Sequence, residues 1–174
     1  MRHRFYPKTL PRKKRARTRM ARPSDSAFII ELSGEVFEIY GPYGGIIARW
    51  LESGITTTLI GTCERRRVGF AMFHFSCDEM DPQRDSELIA IAVKPEKQRS
   101  GIGQQLIIAL EGQAIDRGIR RIFLHTAREN TAARKLFIRN GYQACGVKKY
   151  FYPSGQDALM MFKNIGKSPV SRRE

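Results

Sequence analysis

Six residues, Gln98-Arg99-Ser100-Gly101-Ile102-Gly103, lie between the apolar run 88–93 (LIAIAV) and a helix-like pattern. The first backbone N–H groups of a helix have no partner within it, and the helix dipole favours negative charge there. Gly101 and Gly103 lack a Cβ, so an anion can approach the backbone closely. Arg99 adds a fixed positive charge. These residue types in this order can cradle a phosphate ester. A tight turn alone would also account for two glycines at a helix start. Two better-known phosphate patterns fail: Gly103 is followed by Gln104-Gln105 rather than Lys and Ser or Thr, and Leu106 stands where a dinucleotide fingerprint needs a third glycine.

The elements that must position this turn follow from periodicity. Residues 28–32 (FIIEL) predict a first strand, and IIARWLES, ending at Ser53, a short helix. Residues 56–76 predict a hairpin around the charged turn 64–67. Residues 77–87 are a polar loop, and 87–93 a buried strand ended before Pro95. Ile102, Leu106, Leu110 and Ala114 make an i+4 ridge on a helix over 101–118, stopped at Gly118. A strand over 119–126, a helix over 130–141 capped by Asn130, and two late strands (YQACGV and LMMF) complete the chain. Strands joined through a helix run parallel and hairpins antiparallel, so the expectation is an α/β fold: a mixed central sheet with packed helices.

The segment IAVKPEKQRSGIGQQL resembles the acetyl-CoA motif of the GNAT acetyltransferase superfamily. Downstream, ENTAARKLFIRNGY is similar to the family's next motif, and the order of elements over about 56–163 is the family's order. YFYPSGQDALMM resembles the last hairpin of ribosomal-protein-alanine N-terminal acetyltransferases. The resemblance implies a GNAT-like sheet with helices on both faces and acetyl-CoA as co-substrate. It implies that Ile91, Ala92 and Val93 offer backbone groups to the pantetheine arm. It implies that Gln98, Arg99, Ser100, Gly101, Ile102, Gly103 and Gln104 hold the pyrophosphate, and that Asn130 reaches the coenzyme.

Acetyl transfer to an amine needs a base, an oxyanion donor and a proton for the leaving thiolate. Glu87 opens the strand at a position where several GNAT enzymes carry a glutamate. His125, at the end of IFLHT, stands where the alanine N-terminal acetyltransferases carry one. Both are candidate bases, and a Val93 N–H is the candidate oxyanion donor. Many relatives place a tyrosine acid where this chain has Phe137, so Tyr142, Tyr150 or Tyr152 must substitute, or water. An α-amino group is roughly a tenth neutral at pH 7, a lysine on the order of once in 2,500. That favours a protein or peptide N-terminus as acceptor. Five acids at 78, 79, 81, 85 and 87 leave a polycationic acceptor, a polyamine or aminoglycoside, as the alternative.

The chain has 174 residues, 41% of them hydrophobic, enough for one domain with a core. Its formal net charge is +14, and residues 1–22 carry ten Lys and Arg with no acid, leaving +4 for the rest. Residues 1–22 are therefore expected to be a disordered basic tail, 23–165 the domain and 166–174 a second tail, with 1–19 dispensable for folding. The basic tail could contact RNA or the ribosome through residues 2–22, and a binding module on a degenerate acetyltransferase fold is the non-enzymatic reading. Cys63, Cys77 and Cys145 have no CxxC spacing and suit a reducing cytoplasm. His3, His74 and His125 are not spaced as metal ligands, and no apolar run is long enough to cross a membrane.

Overall fold

The spacing of apolar residues decides which face of a central sheet each segment covers. The computed structural model describes residues 16–75 and 85–166. Its strands are β1 (Arg17–Met20), β2 (Thr57–Cys63), β3 (Arg66–Phe75), β4 (Asp85–Val93), β5 (Arg121–Ala127), β6 (Gln143–Lys148) and β7 (Ala158–Asn164), in spatial order β1-β2-β3-β4-β5-β7-β6. β4 and β5 pair in parallel and every other neighbour pairs antiparallel. The helices are α1 (Ser26–Phe37), α2 (Tyr43–Ser53), α3 (Ile102–Asp116) and α4 (Thr131–Arg139). The mixed sheet with helices on both faces is thus as expected.

The two faces carry separate cores. The ridge Ile102, Leu106, Leu110 and Ala114 packs on Leu59, Ala71, Phe73 and Leu88, with Phe137 of α4 alongside. Opposite, Phe28, Ile29, Leu32 and Ile47 pack on Ile60, Phe70 and Met72. At roughly 1.5–3 kcal/mol per fully buried large side chain, these cores are the main stabilising term.

The ladder between β3 and β4 is irregular at one point. Met72 pairs with Ala90 and Phe73 with Leu88, so Ile89 is an extra residue in β4, a β-bulge. The bulge puts Ile89 and Ala90 on the same side, against the α1 core. β4 and β5 pair over Asp85–Leu88 and Arg121–Leu124, then separate.

The structure corrects two expectations. Residues 28–32 belong to α1. Phe28, Ile29, Leu32 and Val36 recur at helical spacing and pack on the sheet, so a period near 3.6 outweighs the β propensity of a five-residue window. The basic tail does not reach residue 22: Arg17 to Met20 pair with Thr62 to Leu59 as an edge strand. Two of its arginines have a specific partner there. Arg19 donates two hydrogen bonds to Asp25, at 2.7 and 2.9 Å, and Arg22 donates its backbone N–H to the same carboxylate. Charge alone had marked this segment as solvated, yet a paired arginine is compatible with an ordered strand. At the other end Gly166 donates its N–H to the Arg120 carbonyl, so the domain extends through it.

Asp25 is only 2% exposed, and the Arg19 guanidinium holds its carboxyl at about 2 against an ordinary 3.8. A depressed folded-state value adds stability above the unfolded value and loses it as pH falls through the folded one. Asp25→Asn should therefore cost about 2 kcal/mol at neutral pH. Its deficit should shrink between pH 4 and 2, where wild type loses the same contribution. Denaturant midpoints across that range check this, and a pH-independent deficit would assign the loss to packing.

Candidate active site

Where β4 leaves β5, the backbone of β4 loses its partner on one side. Lys94 donates its N–H to the Val68 carbonyl, so alternation along the antiparallel ladder turns the Ala92 backbone groups toward Phe70 and those of Ile91 and Val93 toward the cleft. Of the three residues expected to present backbone groups, Ala92 therefore does not. Its side chain is buried in the α1 core. The Val93 carbonyl accepts a hydrogen bond from the Gln98 side chain at 3.1 Å, so the Val93 N–H and the Ile91 N–H and carbonyl are the groups facing the opening.

The glycine turn caps this cleft. Gly101 is the N-cap of α3, with φ 88°, and a Cβ there would meet no atom within 4 Å. Gln105 makes the first helical bond back to Gly101, so the N–H groups of Ile102, Gly103 and Gln104 start the helix without helical partners. Arg99 also has positive φ, 58°. Gly103 has a different reason to be glycine: a Cβ would lie 3.0 Å from Leu136 Cδ2, so the missing methyl lets α3 and α4 approach. Several residues of the expected cradle are occupied locally. Gln98 is bonded to Val93, Ser100 Oγ donates to the Lys97 carbonyl, and the Ile102 side chain is in the core. What remains for an anion is the row of N–H groups, the Arg99 charge and open space at Gly101.

The other end of the cleft opens into a cavity of about 320 Å³. Glu87, His125, Asn130 and Tyr152 all line it, so the structure brings together the predicted catalytic residues. Parallel pairing of β4 and β5 sets Glu87 beside His125, with Oε1 2.9 Å from Nδ1. The His125 ring holds the Glu87 carboxyl below its usual range, with smaller contributions from Lys148 and His74. An ionised carboxylate can only accept, so Nδ1 carries the facing hydrogen and the neutral ring keeps its lone pair on Nε2. Nε2 is shielded from solvent and has no hydrogen-bond partner among the described residues. Phe151 stacks on the ring at 4.6 Å between centroids and 14° between planes.

The three tyrosines weighed against Phe137 separate cleanly. Tyr142 is buried at the edge of Phe137, and its hydroxyl lies by Glu111 in the α3 core, outside the cavity. Tyr150 is 82% exposed and does not line the cavity. Tyr152 does, and burial pushes its hydroxyl well above the ordinary tyrosine value, so it stays protonated. Phe137 fills a wall and donates nothing. Asn130 caps α4 by accepting from the Ala133 N–H at 3.0 Å, so its helix-capping role is realised beside its place on the wall.

Sequence reasoning missed the aromatic wall. Tyr40 and Tyr43 flank the Gly41-Pro42 turn, and each sits near the Tyr152 ring, at 4.9 and 6.2 Å. Burial raises both hydroxyls. The signal was the paired tyrosines in YGPY, read only as a turn. Of the acidic loop, residues 78, 79 and 81 lie outside the described residues. Asp85 is held by Arg121 at 2.7 Å, and Glu87 is the cavity-facing acid among the described residues. Among the described residues no group of His, Cys, Asp and Glu could hold a metal ion, and no helix is long and apolar enough to cross a membrane.

Residues 4–142 match the family model described as Acetyltransferase (GNAT) family. Over 103 residues the chain is 30% identical to a [ribosomal protein bS18]-alanine N-acetyltransferase of Salmonella typhimurium. That match covers 58% of this chain and 66% of the relative, so it spans a little under two thirds of the relative's length. The structure superposes on the ribosomal-protein-S18-alanine N-acetyltransferase of Escherichia coli with a TM-score of 0.75 at 20% identity, covering 92% of this chain and 100% of that one. It also superposes on a NatC complex bound to Gag peptide and CoA, with a TM-score of 0.74 at 16% identity and coverage of 86% and 98%.

Tyr152 is held in place by a strap. Ser154 donates its N–H to the Tyr40 carbonyl, and Gln156 donates its side-chain amide to the Ile39 carbonyl at 2.7 Å. Gly41 makes room for it: its φ is 133°, and a Cβ would lie 2.7 Å from Pro153 Cβ. Gly41→Ala should cost about 1–3 kcal/mol through strain and displacement and make the 149–157 loop easier to cleave. Denaturation and limited proteolysis read both effects; an unchanged midpoint and cleavage rate would mean that the strap does not depend on this contact.

Proposed function

Within the acetyltransferase (GNAT) family, to which this chain belongs, we propose that it transfers acetyl from acetyl-CoA directly to the α-amino group of a protein N-terminus. The single observation that carries this reading is the continuous path from the Gly101 turn, past the unpaired backbone of Ile91 and Val93, to the Glu87–His125 pair. The anion end suits a pyrophosphate, and the strand groups suit the amides of a pantetheine arm. By its printed name, the Salmonella relative acts on an alanine of ribosomal protein bS18. The acceptor proposed here is accordingly the N-terminus of a ribosomal protein, and the compartment is the cytoplasm.

The residues assign themselves roles. The Glu87 carboxylate orients His125, and the pair takes the proton of the attacking amine. The Val93 N–H donates to the oxygen of the thioester carbonyl. A C–N bond forms, the C–S bond breaks, and the Tyr152 hydroxyl supplies a proton to the departing thiolate. Thiolates are weakly basic, so this last step demands less of its acid than alkoxide departure would. The small-amine alternative draws on the acidic segment; among the described residues Asp85 is paired with Arg121 and the cavity presents one carboxylate, Glu87.

Gly101→Asp should weaken acetyl-CoA binding at least tenfold, since it sets a like charge where the anion sits, at a φ that disfavours any side chain. Calorimetry of the folded variant reads this, and unchanged affinity would remove the coenzyme assignment. His125→Ala should lower kcat by about 10²–10⁴, with acetyl-CoA affinity kept. Glu87→Gln should cost less, since it disorients the ring without removing it. A larger loss in Glu87→Gln than in His125→Ala would make Glu87 the base. Turnover against N-terminal peptides, polyamines and aminoglycosides decides the acceptor class.

A further inference from the structure

Remote from the cavity, the edge of the sheet carries a concentration of arginines that the proposed reaction does not use. β1 pairs with β2 so that Arg17 lies opposite Thr62, and Thr62 and Cys63 lie opposite Arg67 and Arg66 across the next ladder. Residues 64 and 65 make the turn between β2 and β3. The sheet therefore sets Arg17 beside the run Arg65-Arg66-Arg67. Arg67 is engaged with Asp25 and the Ser24 carbonyl. Arg17, Arg65 and Arg66 are exposed and make no ion pair among the described residues.

The turn itself is costly. Glu64 and Arg65 both have positive φ, 51° and 64°. Two-residue hairpins of this kind strongly favour Asn-Gly or Asp-Gly. A left-handed arginine here keeps a charge at the hairpin tip at the expense of backbone strain. The antiparallel register of β3 with β4 puts this tip at the end of the sheet where β4 runs into the glycine turn. β1 enters the sheet at the same end. Residues 1–15, upstream of it, add seven Lys and Arg and no acid.

We propose that Arg17, Arg65 and Arg66 form a docking surface for the phosphate backbone of RNA. The choice of RNA rests on the proposed acceptor, a ribosomal protein terminus, which is presented beside RNA. Three exposed guanidiniums without acidic partners among the described residues suit phosphates, which they grip in bidentate fashion without reading sequence. An anionic membrane would need apolar side chains to insert beside the charges. Among the described residues none of the large exposed apolar side chains lies on this turn; the nearest along β1, Met20, is at the strand's far end from it.

The test compares the full chain with the triple variant Arg17→Glu, Arg65→Glu, Arg66→Glu. Fluorescence anisotropy with a 20-nucleotide single-stranded RNA is read across salt. The variant should bind at least about tenfold more weakly at 0.1 M salt. Its slope of log affinity on log salt should be shallower by about 2, the loss of three contacts at about 0.7 each. Acetyl-CoA affinity by calorimetry and turnover of a free acceptor peptide should stay within twofold, which also reports folding. Unchanged RNA affinity and slope would overturn the proposal. So would a parallel fall in acetyl-CoA affinity, which would make the surface part of the coenzyme site, or binding to anionic vesicles with none to RNA. Because the RNA readout needs no turnover, an enzyme that ignores every N-terminal peptide but binds RNA through these arginines would sink the proposed function and leave the surface standing.

Discussion

The chemistry of this molecule depends on hydrogen bonds that two neighbouring strands do not make. β4 and β5 share four paired positions and then part, and the Ile89 bulge lies where they part. A buried strand with one unpaired side would ordinarily be costly, because orphaned backbone groups carry a desolvation penalty. Here the penalty falls where a ligand with amides and carbonyls can remove it. The remaining architecture keeps that opening in register: α3 fixes its anion end, α4 and α1–α2 wall it, and paired residues 85–88 hold Glu87 against His125.

The proton-handling side is built by contacts distant in sequence. Glu87 and His125 are 38 residues apart and meet because parallel pairing sets their strands side by side. Tyr152 reaches the cavity through a loop tied to the α1–α2 turn, more than a hundred residues earlier. Phe137, which cannot donate a proton, lines the same cavity as Tyr152, a tyrosine carried by another element.

Much of this was legible in the sequence, for identifiable reasons. The i+4 ridge of α3 and the charged turn at 64–67 are local signals, and both elements formed where expected. Glu87, His125 and Tyr152 were separate candidates; the first two meet through the β4–β5 register and the third arrives on a loop tied to the α1–α2 turn, neither of which composition encodes. Residues 28–32 misled because four apolar residues in a window of five fit either period, and the helical one emerges only when Val36 is counted. Arg17 and Arg19 looked like tail because charge was weighed without partners. Asp25, the residue that orders Arg19, lies beyond the boundary drawn at 22. Tyr40 and Tyr43 were passed over because a glycine-proline turn explained their neighbourhood fully enough.

Gly103 sets the separation of α3 from α4 by the absence of one methyl group, with Leu136 in the space. α3 begins at the anion end of the cleft, and α4 begins at Asn130 on the cavity wall. A methyl at position 103 would meet the far end of the Leu136 side chain at 3.0 Å, a flexible group that can give by a few tenths of an ångström. The residue whose N–H stands at the anion end of the cleft thus seats a side chain of α4 as well, and what position 103 tolerates is set by how far Leu136 can yield.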